Sequence, residues 1–275
     1  MDVYNPVYSI YKAGGIEDAA DFTCKQNQRY GAQEWYPLLH DVTPESVLFE
    51  LTDDEVNSLK EGEDATILKD ASFQTRIEDM ILKYGYQFVK TTHKSAHIQS
   101  CKPMLNYADF IENITNASVV MSFRRYSCRY LFFRKFVPMN VEFRVYVYQR
   151  QIRYMALYRD TNSEFTPSMF TNVAAFVQTL IPRLSYYRDF TVDVYLMHSQ
   201  PIIQEIHTTS NMATTDQESK SLCCDSFQVV EINSPLWLKC GTYHLDYEFE
   251  KAIIHETKDP ICVWENGRLM LSEIK

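Results

Sequence analysis

Glycine is scarce in this sequence, at 7 of 275 residues, and two glycine-dependent phosphate-binding patterns are missing. Neither Gly-x-x-x-x-Gly-Lys nor Gly-x-Gly-x-x-Gly occurs. Both patterns bind phosphate through the backbone amides of a glycine-rich loop. The sequence therefore gives no support to a P-loop, protein-kinase or Rossmann fold, and any phosphate binding has to rely on side chains.

Long apolar segments and paired cysteines are also missing. No apolar run reaches the roughly 18 residues of a membrane span, and the first residues lack a basic start followed by an apolar core. The seven cysteines are odd in number and contain no Cys-x-x-Cys pair, which indicates reduced thiols. We expect a cytoplasmic protein that has no membrane partner.

Basic residues are outnumbered by acidic ones. The formal net charge of -9 argues against general affinity for nucleic-acid backbone, which requires a positive surface. The strongest basic concentration lies in 123–129, with Arg124, Arg125 and Arg129, and is followed by Arg134 and Lys135. This cluster either lines a solvated surface or contacts an anionic partner.

Apolar and aromatic residues are abundant instead: 45% of the chain is hydrophobic, with 19 Tyr and 16 Phe. This composition predicts a strand-rich, well-packed protein. A chain of this length buries roughly three quarters of its unfolded surface, which is enough for one large domain or two interlocked lobes.

Local patterns predict the elements. Apolar residues at helical spacing indicate a helix over 72–84 that Gly85 stops, and Thr166-Pro167 begins another helix with apolar residues to position 181. Shorter helices are expected after the capping residue Thr52 and over 105–114. Apolar segments predict strands at 45–51, 86–90, 130–136, 141–148, 151–158, 190–195 and 227–233. The polar stretch 208–226 is expected to be a surface insertion.

Polar residues interrupt the last two predicted strands. Glu231 and Asn233 are two positions apart and so share one face of a strand, and Asp193 lies within the preceding strand. Two carboxylates 4 Å apart repel by about 4 kcal/mol at an effective dielectric near 20, so we expect a cation beside them. Carboxylate and amide oxygens suit magnesium, which shares substrate phosphates. With Lys90 and Arg144 on other strands, these residues predict a nucleotide site.

Each of these residues also has an alternative interpretation in which it takes no part in a nucleotide site. Asp193 could pair with an arginine for stability alone, and Glu231 with Asn233 could face water at a sheet edge. Lys90 and Arg144 could be solvated residues on their strands. His93 and His97 would bind zinc only on a helix with a further ligand, which the surrounding threonines do not favour.

Five segments resemble, in order, the successive signatures of the cell division cycle protein 123 family, a divergent branch of the ATP-grasp superfamily. They are EWYPLLHDVTPESV at 34–47, LFFRKF at 131–136, VEFRVY at 141–146, FTVDVY at 190–195 and VEINSP at 230–235. The resemblance runs from about residue 33 to about residue 250. It implies an α+β ATP-grasp fold in which two lobes with antiparallel sheets enclose ATP and magnesium as cofactors.

The resemblance also implies a role for each matching residue. The phosphate contacts and catalytic residues would be Lys90 and Arg144. The hinge that receives adenine through its backbone would include Arg134, Lys135 and Phe136. The magnesium ligands would be Asp193, Glu231 and Asn233, with glutamate where the family more usually has aspartate.

The expected organisation has four parts: an irregular arm over 1–32, an N-terminal lobe over 33–125, a C-terminal ATP-grasp lobe over 126–255 and an extension over 256–275. The resemblance implies an ATP-binding assembly factor whose partner is a subunit of translation initiation factor two. The alternative is an ATP-grasp ligase that joins RNA ends or modifies a protein or peptide. A ligase needs a second basic pocket near the γ-phosphate, for which Arg159 and the 123–129 cluster are available. The retained acids and amide disfavour a third interpretation, a degenerate scaffold that binds no nucleotide.

Overall fold

A computed structural model describes residues 28–85, 87–92, 104–126, 128–137, 141–160, 165–197, 227–234, 261–264 and 267–270. Its helices are α1 (Ala32–Leu39), α2 (Asp53–Leu59), α3 (Ala71–Tyr84), α4 (Tyr107–Ile114), α5 (Ala117–Tyr126) and α6 (Met169–Leu180). Its strands are β1 (Ser46–Glu50), β2 (Gln87–Thr91), β3 (Tyr130–Lys135), β4 (Val141–Tyr148), β5 (Gln151–Asp160), β6 (Phe190–Leu196), β7 (Phe227–Asn233), β8 (Ile261–Trp264) and β9 (Gly267–Met270). None of the helices in these ranges has both the length and the apolar character needed to cross a membrane.

Local chemistry explains the ends of the predicted helices. Thr52 and Glu55 form a capping box at α2, in which Thr52 Oγ1 accepts from Glu55 N–H at 3.2 Å and Glu55 Oε2 accepts from Thr52 N–H at 2.7 Å. Asp70 caps α3 by accepting from the Phe73 N–H at 2.8 Å. The same helix ends at Gly85, whose φ of 73° lies in the left-handed region that glycine tolerates.

The strands form two sheets. The smaller sheet has the order β1-β3-β2 and is antiparallel throughout. The larger sheet has the order β7-β6-β4-β5-β8-β9 and is antiparallel except for the parallel pair of β5 and β8. The predicted α+β class with two mainly antiparallel sheets is therefore confirmed.

Strand alternation gives each sheet one apolar face, and each apolar face packs against helices. The larger core contains Phe143 and Val145 of β4 with Phe170 and Val173 of α6. The smaller core contains Leu131 and Phe133 of β3 together with apolar residues of α2, α3, α4 and α5. The second face of each sheet is left to a different set of side chains, which form the site described below.

Helix α1 lies where the two sheets come together. Its Trp35 is buried in the larger core and contacts Phe132 of β3, with 6.0 Å between ring centroids. At its N-terminus, the Ala32 N–H donates to the Thr92 carbonyl just after β2 at 2.9 Å. The helix therefore contacts the smaller sheet while its indole belongs to the core of the larger one.

Strand pairing runs across the lobe boundaries that the sequence predicts. A boundary between 125 and 126 would separate β3 from β1 and β2, although β3 is the central strand of their sheet. The extension expected over 256–275 contains β8 and β9, which belong to the larger sheet. Of the expected arm, Tyr30 joins the larger core, and the arm before residue 28 lies outside the described residues, as does the insertion at 208–226. These pairings join segments distant in sequence, so local composition does not reveal them.

Candidate functional site

The site lies between the second faces of the two sheets. On the smaller sheet, alternation places Phe88 and Lys90 of β2 on the same face as Phe132 and Arg134 of β3, and the pairs Phe88–Arg134 and Lys90–Phe132 are in register. On the larger sheet, Arg144 of β4, Asp193 of β6 and Glu231 of β7 form one row across three strands. Charged side chains from five strands therefore converge.

Arg144 and Asp193 form a bidentate ion pair in this row. Arg144 Nε donates to Asp193 Oδ1 and Nη2 donates to Oδ2, both at 2.7 Å, and both side chains are buried. Burial raises the pKa of Asp193, and the guanidinium of Arg144 opposes that rise. A guanidinium does not deprotonate, so Arg144 itself stays charged at neutral pH. The sequence alternative of an exposed Arg144 is wrong, whereas Asp193 does pair with an arginine.

Asn233 extends the pair toward the edge of the sheet. Its Nδ2 donates to Asp193 Oδ2 at 3.2 Å, which leaves its amide oxygen for another contact. Its register partner is Thr191, whose hydroxyl is buried and has no hydrogen-bond partner among the described residues. Thr191 lies two positions before Asp193 and so shares its face, a signal that the sequence analysis missed.

Lys90 and Glu231 join the two sheets directly. Lys90 Nζ donates to Glu231 Oε1, and the exposed side-chain fraction is 2% for Lys90 and 22% for Glu231. Burial lowers the pKa of Lys90, and Arg134 lowers it further while Glu231 acts in the opposite direction. Burial acts to raise the pKa of Glu231, but Lys90 and Arg134 together hold it below its ordinary value. The alternative of a solvated Lys90 is wrong.

A register shift in β7 determines which residues reach this row. Asp193 pairs with Glu231 but the next residue, Val194, pairs with Val229, so Val230 is an extra residue with no partner on β6. Phe227 and Val229 belong to the larger core, and beyond the extra residue Ile232 takes the core position. Strict alternation from Val229 would have sent Glu231 into the core. The bulge instead turns Glu231 and Asn233 toward Asp193.

Arg134 contacts Val230, the extra residue of the bulge. Its Nη1 donates to the Val230 carbonyl at 2.6 Å, and its guanidinium lies 5.6 Å from the centroid of the Phe88 ring. From the sequence, Arg134 is expected in a hinge that receives adenine through its backbone, where side chains matter less. In the structure its side chain is 4% exposed and reaches across to β7.

Most of the motif expected to form the hinge belongs to strand β3. β3 pairs on both sides up to Lys135, whose N–H donates to the Glu45 carbonyl at 2.8 Å, so sheet bonds already engage the backbone of 133–135. The Lys135 side chain is exposed and lies on the opposite face from Arg134, because neighbours on a strand alternate. The link toward β4 starts at Phe136, which is half-buried.

Arginines of the basic cluster at 123–129 contact residues outside the candidate site. Arg124 Nε donates to the Lys60 carbonyl at 2.7 Å, and Arg129 lies 3.6 Å from Asp53 in an exposed pair. Arg129 precedes β3 at the end opposite Arg134. His93, His97 and the Arg159 side chain lie outside the described residues. The cysteines within the described ranges are Cys128 and Cys262, and both are buried thiols outside any disulfide.

The donor set of the site fits a phosphate and a hard cation together. Cationic side chains that can contact an anion lie beside the carboxylates, since Lys90, Arg134 and Arg144 are all buried here. The described residues hold no cluster of three His, Cys, Asp or Glu that would bind a metal alone. A magnesium ion shared with phosphate needs fewer protein ligands, and Glu231, Asn233 and Asp193 supply oxygens of the required kind.

Comparison with known proteins identifies the fold. No protein-family model and no curated protein sequence matches the chain. A C-terminally truncated Cdc123 from Schizosaccharomyces pombe superimposes with a TM-score of 0.57 and 15% identity, over 77% of this chain and 86% of that chain. This chain has the Cdc123 fold. A second Cdc123 structure from the same organism gives a TM-score of 0.56 and 16% identity, over 76% and 84% of the two chains.

The Cdc123 match confirms, at the level of the fold, the resemblance that the five sequence segments indicate. A RimK domain ATP-grasp protein from Sphaerobacter thermophilus is more distant, with a TM-score of 0.40 and 15% identity over 82% of this chain and 65% of that chain. The row of Arg144, Asp193 and Glu231 thus lies within a Cdc123-like pair of sheets.

Proposed function

We propose that this protein binds ATP with magnesium between its two sheets, in the manner of an ATP-grasp protein of the Cdc123 type. The observation that carries the proposal is the convergence of Lys90 from the smaller sheet on Glu231, beside the buried pair of Arg144 and Asp193 on the larger sheet. Cations and carboxylates from two lobes at one place are what a nucleotide triphosphate with a divalent cation requires.

The proposed roles follow from position and chemistry. Lys90 and Arg144 contact phosphate oxygens, since each is a buried cation on one of the two facing sheets. Glu231 and Asn233 at the sheet edge bind magnesium, with Asp193 behind them oriented by Arg144. The bound ion would offset phosphate charge. The backbone from Phe136 onward receives adenine, since this segment links the two sheets after the paired part of β3.

Calorimetric titration with ATP tests the site. We expect the wild type to bind ATP in the presence of magnesium, and Glu231→Gln and Asn233→Ala to weaken binding by at least about tenfold, equivalent to about 1.4 kcal/mol. Asp41→Asn, at the exposed pair with Arg183, is the matched control and should bind like the wild type. If well-folded wild-type protein binds no ATP, the proposed site is wrong.

For the biological role, we propose an assembly factor for translation initiation factor two, with a subunit of that factor as partner. This rests on the resemblance of the five segments and on the Cdc123 fold. A ligase would need a further basic pocket for an anionic intermediate, and Arg124 and Arg129 instead bind Lys60 and Asp53.

Incubation with labelled ATP distinguishes the two roles. Candidate acceptors include RNA ends and peptides, and the products sought are ADP, AMP and a joined product. We expect ATP to remain bound without turnover, and capture of the initiation-factor subunit by the ATP-loaded protein. A joined product would replace the assembly role with the ligase.

A further inference from the structure

The bulge in β7 turns Glu231 and Asn233, the magnesium ligands proposed above, toward Asp193. A further interaction is needed to explain why the extra residue of the bulge is Val230. Among the described residues, β7 is the edge strand of the larger sheet and pairs with β6 alone. Its apolar residues Phe227, Val229, Val230 and Ile232 do not specify where the extra residue falls, because a bulge one position away also buries valine. Pairing without an extra residue would restore strict alternation from Val229, move Glu231 toward the core and destroy the row with Asp193.

One side chain recognises the bulge. The extra residue Val230 is buried, and its carbonyl accepts from Arg134 Nη1 at 2.6 Å. Arg134 in turn lies against the Phe88 ring and is held on the central strand of the smaller sheet. Glu231, next along the chain, receives Lys90 from the same face. Two adjacent residues of β7 are therefore held by two side chains of the opposite lobe.

We propose that Arg134 is a positioning residue: by binding the Val230 carbonyl it fixes the register of β7, and so orients Glu231 and Asn233 toward magnesium, without itself binding the nucleotide. The inference rests on the proposed function. In this arrangement Arg134 acts through the backbone of β7, as outer residues act on metal ligands elsewhere. A lysine keeps the charge but has neither the planar fork nor the same reach.

The test uses Arg134→Gln and Arg134→Lys, with Arg188→Gln at an exposed arginine as the control for loss of charge. ATP affinity is measured by calorimetry in magnesium and in EDTA. We expect both Arg134 variants to lose affinity by about 10–100-fold in magnesium, as for removal of a residue that supports a metal ligand. In EDTA the variants and the wild type should differ by less than about twofold, since direct phosphate contacts are intact.

Other results overturn the inference. An equal loss in magnesium and EDTA that Arg134→Lys restores would mean that the guanidinium binds phosphate directly. Affinities like those of the wild type in both conditions would mean that Arg134 serves stability alone.

A second measurement needs no nucleotide and keeps the inference testable if the wild type binds no ATP. Relative to the wild type, amide hydrogen exchange should accelerate more in β7 than in β6 in both Arg134 variants. In Arg188→Gln the exchange rates of both strands should stay unchanged. Unaltered exchange in β7 would overturn the role of Arg134 in setting its register, whatever the outcome for ATP.

Discussion

At the scale of the residue, the site is governed by the cost of burying charge. The sequence predicts that Asp193 and Glu231 need a cation, and the structure supplies two from the chain itself, Arg144 and Lys90. Each carboxylate thus has a partner whether or not a metal is bound. The positive charge of Arg134 lies close enough to lower the pKa of both Lys90 and Glu231.

Removing Asp193 should expose the cost of an unpaired buried cation. We expect Asp193→Ala to lower the free energy of unfolding by about 3–5 kcal/mol, because the buried Arg144 is left without its carboxylate. Urea denaturation followed by circular dichroism measures this. Asp41→Ala is the matched control, since its pair with Arg183 is largely exposed and should contribute no more than about 1 kcal/mol. Similar losses in the two variants would contradict this account of burial.

At the scale of the element, local sequence signals locate strands and helices well but not their irregularities. The helix ending at Gly85 and the hairpin of β4 and β5 follow from spacing and turn residues. The bulge in β7 does not, because valine at both 229 and 230 is compatible with either register. The same limitation applies to Arg134, whose contact with Val230 joins residues 96 positions apart.

The segment before α1 is attached to the loop after α6 through tyrosines. Tyr30 OH donates to the Asp189 carbonyl, and the rings of Tyr30 and Tyr187 lie 4.9 Å apart. Burial raises the pKa of Tyr30 from 10.0 to about 12. A raised pKa means that the neutral phenol is favoured in the folded state. The contribution of the neutral Tyr30 phenol to the free energy of unfolding is therefore complete below pH 10, and it is lost as the pH rises through about 12.

Tyr30→Phe tests this attachment. At neutral pH we expect the variant to be less stable by about 1 kcal/mol, since one buried hydrogen bond is lost. The difference from the wild type should shrink as the pH rises from 10 to 12, because only the wild type has this phenol to ionise on unfolding. Urea denaturation at several pH values gives the comparison. Tyr186→Phe, at a side chain that is 78% exposed, should change stability by less than about 0.5 kcal/mol at neutral pH. A pH-independent difference for Tyr30→Phe would contradict the expectation.

At the scale of the whole molecule, the contacts that join the sheets among the described residues include the ring contact of Trp35 with Phe132, the pair of Lys90 with Glu231, and the bond from Arg134 to Val230. The first is apolar and lies in the larger core, whereas the other two are polar and lie in the candidate site. The apolar contact is independent of any ligand. The two polar contacts are at the place where we propose that ATP binds.

Trp35→Ala should weaken the joint between the sheets. We expect a loss of about 3–5 kcal/mol in the free energy of unfolding, since a fully buried aromatic ring is replaced by a cavity. The urea midpoint gives the measurement, and Leu82→Ala, at an exposed leucine of α3, is the control that should stay within about 0.5 kcal/mol of the wild type. An unchanged midpoint for Trp35→Ala would show that α1 contributes little to the union of the sheets.

The α+β class, the principal strands and helices, and the residue types available for a nucleotide site follow from the amino-acid sequence, because periodicity, caps and turns are local properties of the chain. The strand order of the sheets, the separation of Arg134 from Lys135, and the partners of Asp193 and Glu231 emerge in the folded structure alone. Those depend on pairing between distant strands and on a single extra residue in β7. A one-residue shift of a strand reverses its faces, so the chemistry of this site is set by register as much as by residue type.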